Sequence, residues 1–127
     1  MRCARQPPPE SVRLNERMSE NTEEKAMQVL AIVTRAKGRT DAEVAPYRVP
    51  EGRGVWALLR HSVVRCVWSR ADQPGAVLLL EVGGRADASD AMMSLPLVRD
   101  GLVEFQLIEL APFLAFEYLF GPQATDL

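Results

Sequence analysis

The pattern of apolar and polar positions divides the chain near residue 27. Before it, apolar residues are sparse. Residues 1–25 hold a triple proline (Pro7, Pro8, Pro9), five acidic side chains and five basic ones. Such a stretch has too little apolar surface to offset the entropy of ordering it, so residues 1–26 read as a loosely attached extension. From Met27 the pattern changes. Met27 to Thr34 is a β-branched run of strand length. Ala36 to Arg39 is a loop, and Thr40 with Glu43 three residues on has the form of a capping box. Pro46 and Pro50 interrupt the next segment, which predicts a split helix with its main part over Glu51–His61. Val55, Leu58 and Leu59 share a face there, with Trp56 beside them.

Val63 to Ser69 is a second strand and Ala76 to Val82 a third. The Ala71–Gly75 segment between them is turn-forming, so the pair reads as a hairpin. A second helix is predicted from Ala86 to about Leu95, with Ala88, Ala91, Met92 and Leu95 as its buried stripe. Pro96 ends or bends it. Leu102 to Leu110 is the fourth strand. The tail Ala111–Phe120 carries Phe113, Phe116, Tyr118 and Phe120, which need a surface to cover, on the same core or on a neighbouring subunit. Residues 122–127 read as a flexible end.

The order β-α-β-β-α-β predicts a ferredoxin-like α+β fold: a four-stranded antiparallel sheet with both helices on one face. That arrangement leaves the other face open. Yet the strands are largely apolar on both sides: Val29, Ala31 and Val33 against Leu30 and Ile32 in the first, Leu78, Leu80 and Val82 against Val77, Leu79 and Glu81 in the third. A sheet greasy on both faces is buried on both. About 100 folded residues cannot supply a second layer, so the expectation is a homodimer, packed sheet on sheet into a shared α+β barrel.

Composition narrows the function classes. Of 127 residues, 47% are hydrophobic and 25% charged, an ordinary globular balance. The formal net charge is −2, which disfavours a nucleic-acid binder held by phosphate contacts. No run approaches the roughly 18 apolar residues of a spanning helix, so no membrane association is expected and the chain is placed in the cytoplasm. Cys3 and Cys66 read as reduced thiols. With one histidine there is no metal-ligand set, and neither metal nor cofactor is expected.

No nucleophile elbow, phosphate loop or zinc-protease motif is present. What remains is a set of polar residues within apolar strands. Glu104 and Gln106 share a face of the fourth strand, the open one, while Val103, Phe105 and Leu107 face the helices. Glu81 ends the third strand. Arg65 projects from the second between Val63 and Val67, with Cys66 and Trp68 on the opposite face. A carboxylate in an apolar pocket has a raised pKa and works as an acid or base near neutrality, which makes Glu81 and Glu104 candidate catalysts. The alternative is that either one pairs with Arg65 or Arg70 across the sheet. His61, at a helix C-terminus, is a capping residue or a proton shuttle. Arg65, Trp68, Gln106, Trp56 and Phe105 are candidate substrate-binding residues.

Two segments carry a resemblance. SLPLVRDGLVEFQLIELAPF (Ser94–Phe113) and the hairpin VVRCVWSRADQPGAVLLLEV (Val63–Val82) resemble the muconolactone isomerase-like proteins of the dimeric α+β barrel superfamily. The resemblance spans about Met27 to Phe120. It implies a ferredoxin-like subunit, a dimer or larger ring, a small-molecule pocket, and a cofactor-independent proton shift on a small unsaturated lactone or organic acid. Relatives of the fold also include cofactor-independent monooxygenases and cyclases. A non-catalytic small-molecule-binding dimer is the remaining alternative.

Overall fold

A computed structural model describes residues 26–121. It contains β1 (Met27–Arg35), α1 (Asp41–Val44), a 3-10 turn (Ala45–Tyr47), α2 (Arg48–Arg60), β2 (Val64–Ser69), β3 (Gly75–Val82), α3 (Arg85–Met93), α4 (Pro96–Arg99), β4 (Val103–Leu110) and α5 (Ala115–Phe120). The strands form one antiparallel sheet in the order β2-β3-β1-β4. This is the ferredoxin-like α+β fold expected from the element order. The extension expected over 1–26 and the end over 122–127 lie, apart from Ala26, outside the described residues.

β1 is central, and its neighbours fix which residues share a face. Val29 lies opposite Leu80 and Ala31 opposite both Leu78 and Leu107. All five are buried under the helices with Ala88, Met92 and Leu95, in one core cluster. Leu78, Leu80, Met92 and Leu95 are its largest fully buried side chains. Truncating any of them to alanine is expected to cost about 2–5 kcal/mol. The opposite face carries Leu30, Ile32, Val77 and Leu79, each half-buried, with Ile108 and Leu110 of β4 exposed.

The local signals work as the residues dictate. Thr40 caps α1 reciprocally with Glu43: the Glu43 N–H donates to Thr40 Oγ1 at 3.2 Å, and the Thr40 N–H donates to Glu43 Oε1 at 3.1 Å. The prolines do not interrupt the helical path. Pro46 opens the 3-10 turn and Pro50 sits in the first turn of α2, where a missing N–H costs little, so α2 starts at Arg48 instead of Glu51. Pro96 likewise does more than end α3: it opens α4.

Both α2 and α4 end in the same way. The Ser62 N–H donates to Leu59 O at 3.1 Å and the Val63 N–H to Leu58 O at 3.0 Å. At α4, Gly101 donates to Val98 O at 3.1 Å and Leu102 to Leu97 O at 2.9 Å. Each is a Schellman closure, which needs a left-handed residue. Gly101 supplies it with φ 73°, and Ser62 with φ 61°.

Two expectations are corrected. First, β2 does not alternate strictly. A bulge between Val64 and Cys66 shifts the register, so Val64 pairs with Leu80 and Val67 with Leu78, both on the helix face. The extra residue turns Arg65 toward Glu81 on the open face, the face that Cys66 and Trp68 also share. Second, Cys66 is not a reduced thiol: it is disulfide-bonded. Of the two surfaces expected for the aromatic tail, its own core is not the one it covers: the tail forms α5, and Phe113, Phe116, Tyr118 and Phe120 are 57–80% exposed.

Candidate functional site

The parity of β1 aims Val33 and Arg35 at the helices, beyond the tightly packed Val29 and Ala31. Here α2, α3 and α4 do not close fully on the sheet. A cavity of about 200 Å³ remains, lined on the sheet side by Val33, Val67, Leu78 and Val103, and on the helix side by Val55, Met92 and Leu95, among others. It lies at the end of the sheet where Arg35 pairs with Val103 and Thr34 with Gly75. The lining is apolar except for two charged residues, Arg35 and Glu51.

Glu51 comes from the first turn of α2. It is half-buried, and its Oε1 accepts a hydrogen bond from the Leu97 N–H of α4 at 3.0 Å. Oε2 has no partner among the described residues. Burial pushes its carboxyl above the ordinary carboxylate range, against the Leu97 N–H and the more distant Arg99 charge, which both favour the ion. Arg35 also lines the cavity and is ion-paired to Asp41. Its guanidinium holds the Asp41 carboxyl below its usual range. The cavity thus combines apolar walls, one carboxyl disposed to hold a proton and one guanidinium, a set suited to moving a proton on a weakly polar molecule.

The residues singled out from sequence sit elsewhere. Glu81 is exposed on the open face and pairs with Arg65 at 3.4 Å, both side chains being roughly half exposed. Glu104 and Gln106 are exposed on the same face. Neither carboxylate lines the cavity. His61 is exposed at the end of α2, where its Nδ1–H donates to Ala57 O at 2.7 Å. Trp56 is 58% exposed on α2. Trp68 is half-buried on the open face. Phe105 faces the helices, as expected, and packs against the core beside the cavity without lining it. The structure therefore brings Glu81, Arg65 and Trp68 onto one face, and separates all of them from the cavity.

Sequence reasoning missed Glu51 and Arg35. The signal for Arg35 was present: it continues the Val29–Ala31–Val33 parity by one step. Glu51 gave no local signal, since its hydrogen-bond partner lies 46 residues away.

No protein-family model matches the sequence, and no curated protein matches it. Among solved structures, a crystal structure of muconolactone isomerase at 3.3 Å resolution aligns with a TM-score of 0.57 at 18% sequence identity, over 68% of this chain and 91% of that one. At that identity the likeness is one of fold: the chain has a muconolactone isomerase-like α+β fold.

Proposed function

We propose that the chain is an isomerase-like proton-transfer enzyme, with its site in the cavity between sheet and helices. The observation that carries this reading is Glu51, a carboxyl with a raised pKa at the wall of an apolar cavity. In its ionised form Glu51 removes a proton from the carbon next to a substrate carbonyl. The protonated form then returns that proton to the far carbon of the same unsaturated system. The proton count balances and the double bond has moved, a shift that can run without metal or cofactor. Arg35 supplies positive charge at the cavity wall while the carbonyl oxygen carries negative charge. The substrate class is a small unsaturated lactone or organic acid, as the likeness in fold suggests. The open sheet face is assigned to a second copy of the chain, because among the described residues its apolar side chains meet no second layer.

A non-catalytic binding module is the second reading. The Leu97 N–H bond to Glu51 favours it, since that contact alone gives the carboxyl a structural task.

One experiment separates the two. A panel of small unsaturated lactones and acids is incubated with the protein in D2O and followed by NMR. The proposal expects deuterium incorporation that falls by about 100-fold or more in Glu51→Gln and persists in Glu81→Gln and Glu104→Gln. Binding without exchange points to the module. Exchange that survives Glu51→Gln removes Glu51 from the mechanism.

A further inference from the structure

Among the described residues, the tail after β4 leaves a run of large apolar side chains uncovered. Phe113, Phe116, Tyr118 and Phe120 are all more than half exposed, with Leu114 and Leu119 beside them. Phe113 and Phe116 already meet edge to face, with centroids 5.0 Å apart and planes at 74°. That pairing gives the surface a defined shape. The tail is also continuous with the open face. Ile108 and Leu110, the last residues of β4 on that face, are themselves exposed and lead directly into it.

Area says what the tail is for. Four strands at about 4.8 Å spacing and eight residues at about 3.3 Å give the open face a footprint of roughly 500 Å². Two such faces pressed together bury on the order of 1,000 Å², whereas stable specific interfaces bury about 1,200–2,000 Å². Sheet-on-sheet contact alone falls short. An aromatic side chain buries about 150–250 Å², so four that are more than half exposed add several hundred Å² per copy, enough to close the gap.

We infer that the aromatic tail, Phe113 to Phe120, docks on a second copy of this chain and supplies the part of the dimer interface that the sheet cannot. The inference rests on the sheet pairing proposed above and adds the tail to it. The tail cannot return to its own cavity. It leaves the sheet at the Gln28–Leu110 end, while the cavity lies at the Arg35–Val103 end. Four extended residues at about 3.3 Å and a six-residue helix at about 1.5 Å per residue span roughly 22 Å, less than the roughly 26 Å length of an eight-residue strand. Among the described residues the tail side chains are left facing outward.

The test is sedimentation equilibrium of the full chain, with and without reductant, for the parent, Phe116→Glu/Phe120→Glu, Phe116→Leu/Phe120→Leu and Leu79→Arg. Reductant is included because Cys66, on the open face, is disulfide-bonded. The expected result is a parent dimer in at least one redox condition. The glutamate pair should raise its Kd by at least about 100-fold, as for the loss of two buried aromatic anchors. The leucine pair should keep most of the affinity, and circular dichroism should stay unchanged throughout. A dimer broken by Leu79→Arg but not by the glutamate pair overturns the tail's role and leaves the sheet pairing standing. A parent that is monomeric in both conditions overturns both. A glutamate pair that lowers the melting temperature of a monomer shows the tail packing on its own chain, and overturns the inference as well.

Discussion

Glu51 of α2 accepts the Leu97 N–H of α4 at 3.0 Å, and this bond ties two helices together at the wall of the cavity. One carboxyl therefore carries a structural load and has an oxygen to spare. The two roles respond differently to substitution. Glu51→Gln keeps an acceptor for Leu97, while Glu51→Ala removes it. The alanine variant is expected to lose about 1 kcal/mol of stability and the glutamine variant little, as measured by urea denaturation at neutral pH.

The pH dependence follows from the raised carboxyl. Its folded pKa lies above the unfolded one, so its favourable contribution is complete below the ordinary carboxylate range. That contribution is lost as pH rises through the raised value. Asp41, Glu43 and Asp72 act in the opposite sense. Arginine partners lower their pKa values, so their contributions are lost on acidification. The difference between parent and Glu51→Gln isolates Glu51. The glutamine variant should gain on the parent as pH rises from 4 to 7, in denaturation curves taken at each pH. A difference that does not change with pH would mean that Glu51 titrates as it does in the unfolded chain.

Ser62 holds the left-handed position of the α2 closure that Gly101 holds at α4. A side chain in that conformation costs about 1–2 kcal/mol, which glycine avoids. Part of the gain is offset by the greater freedom of glycine in the unfolded chain. Ser62→Gly is therefore expected to stabilise by about 0.5–1 kcal/mol, and Ser62→Val to destabilise, since a β-branched residue is a worse fit at positive φ. Thermal melts check both.

Gly75 allows the β2–β3 hairpin to close against β1. A Cβ built there would sit 2.1 Å from Val33 O, at a φ of +154°. The obstacle is backbone and cannot swing away. Gly75→Ala is expected to cost more than about 2 kcal/mol by forcing β1 and β3 apart. Because Gly75 and Val33 both line the cavity, the variant should also weaken ligand binding, which calorimetry with a bound lactone or acid would read.

What was legible in the sequence was local. The alternation of β1, the Thr40–Glu43 box and the hairpin turn each state their structure within a few residues, so the elements and their succession along the chain could be read from them. The cavity could not be read that way. Its carboxyl stands between Pro50 and Gly52, a context that says helix start and nothing of burial, and the group that holds it lies on another helix. Glu81 and Glu104 drew attention because they sit in apolar strands. An alternating strand must put such residues somewhere, though, and the helix-free face takes them without desolvating them. The bulge at Val64–Cys66 was invisible for the same reason: one extra residue leaves no mark on composition, yet it turns Arg65 to Glu81.

The cavity itself gives the sharpest separation of stability from function. A void of about 200 Å³ beneath Val55, Met92 and Leu95 forfeits dispersion contacts that a filled core would make. Val55→Phe places a ring into that space from α2, where Val55 is only half-buried and its backbone is free of strain. Cavity filling of this kind stabilises by about 0.5–2 kcal/mol. For a folded part of this size, that corresponds to a rise in melting temperature of roughly 4–8 °C per kcal/mol. The same variant should lose ligand binding and proton exchange, because the ring occupies the place of the substrate. A stabilised Val55→Phe protein that still binds and turns over its ligand would move the site out of this cavity, and the open face with Arg65, Glu81 and Trp68 would become the place to look.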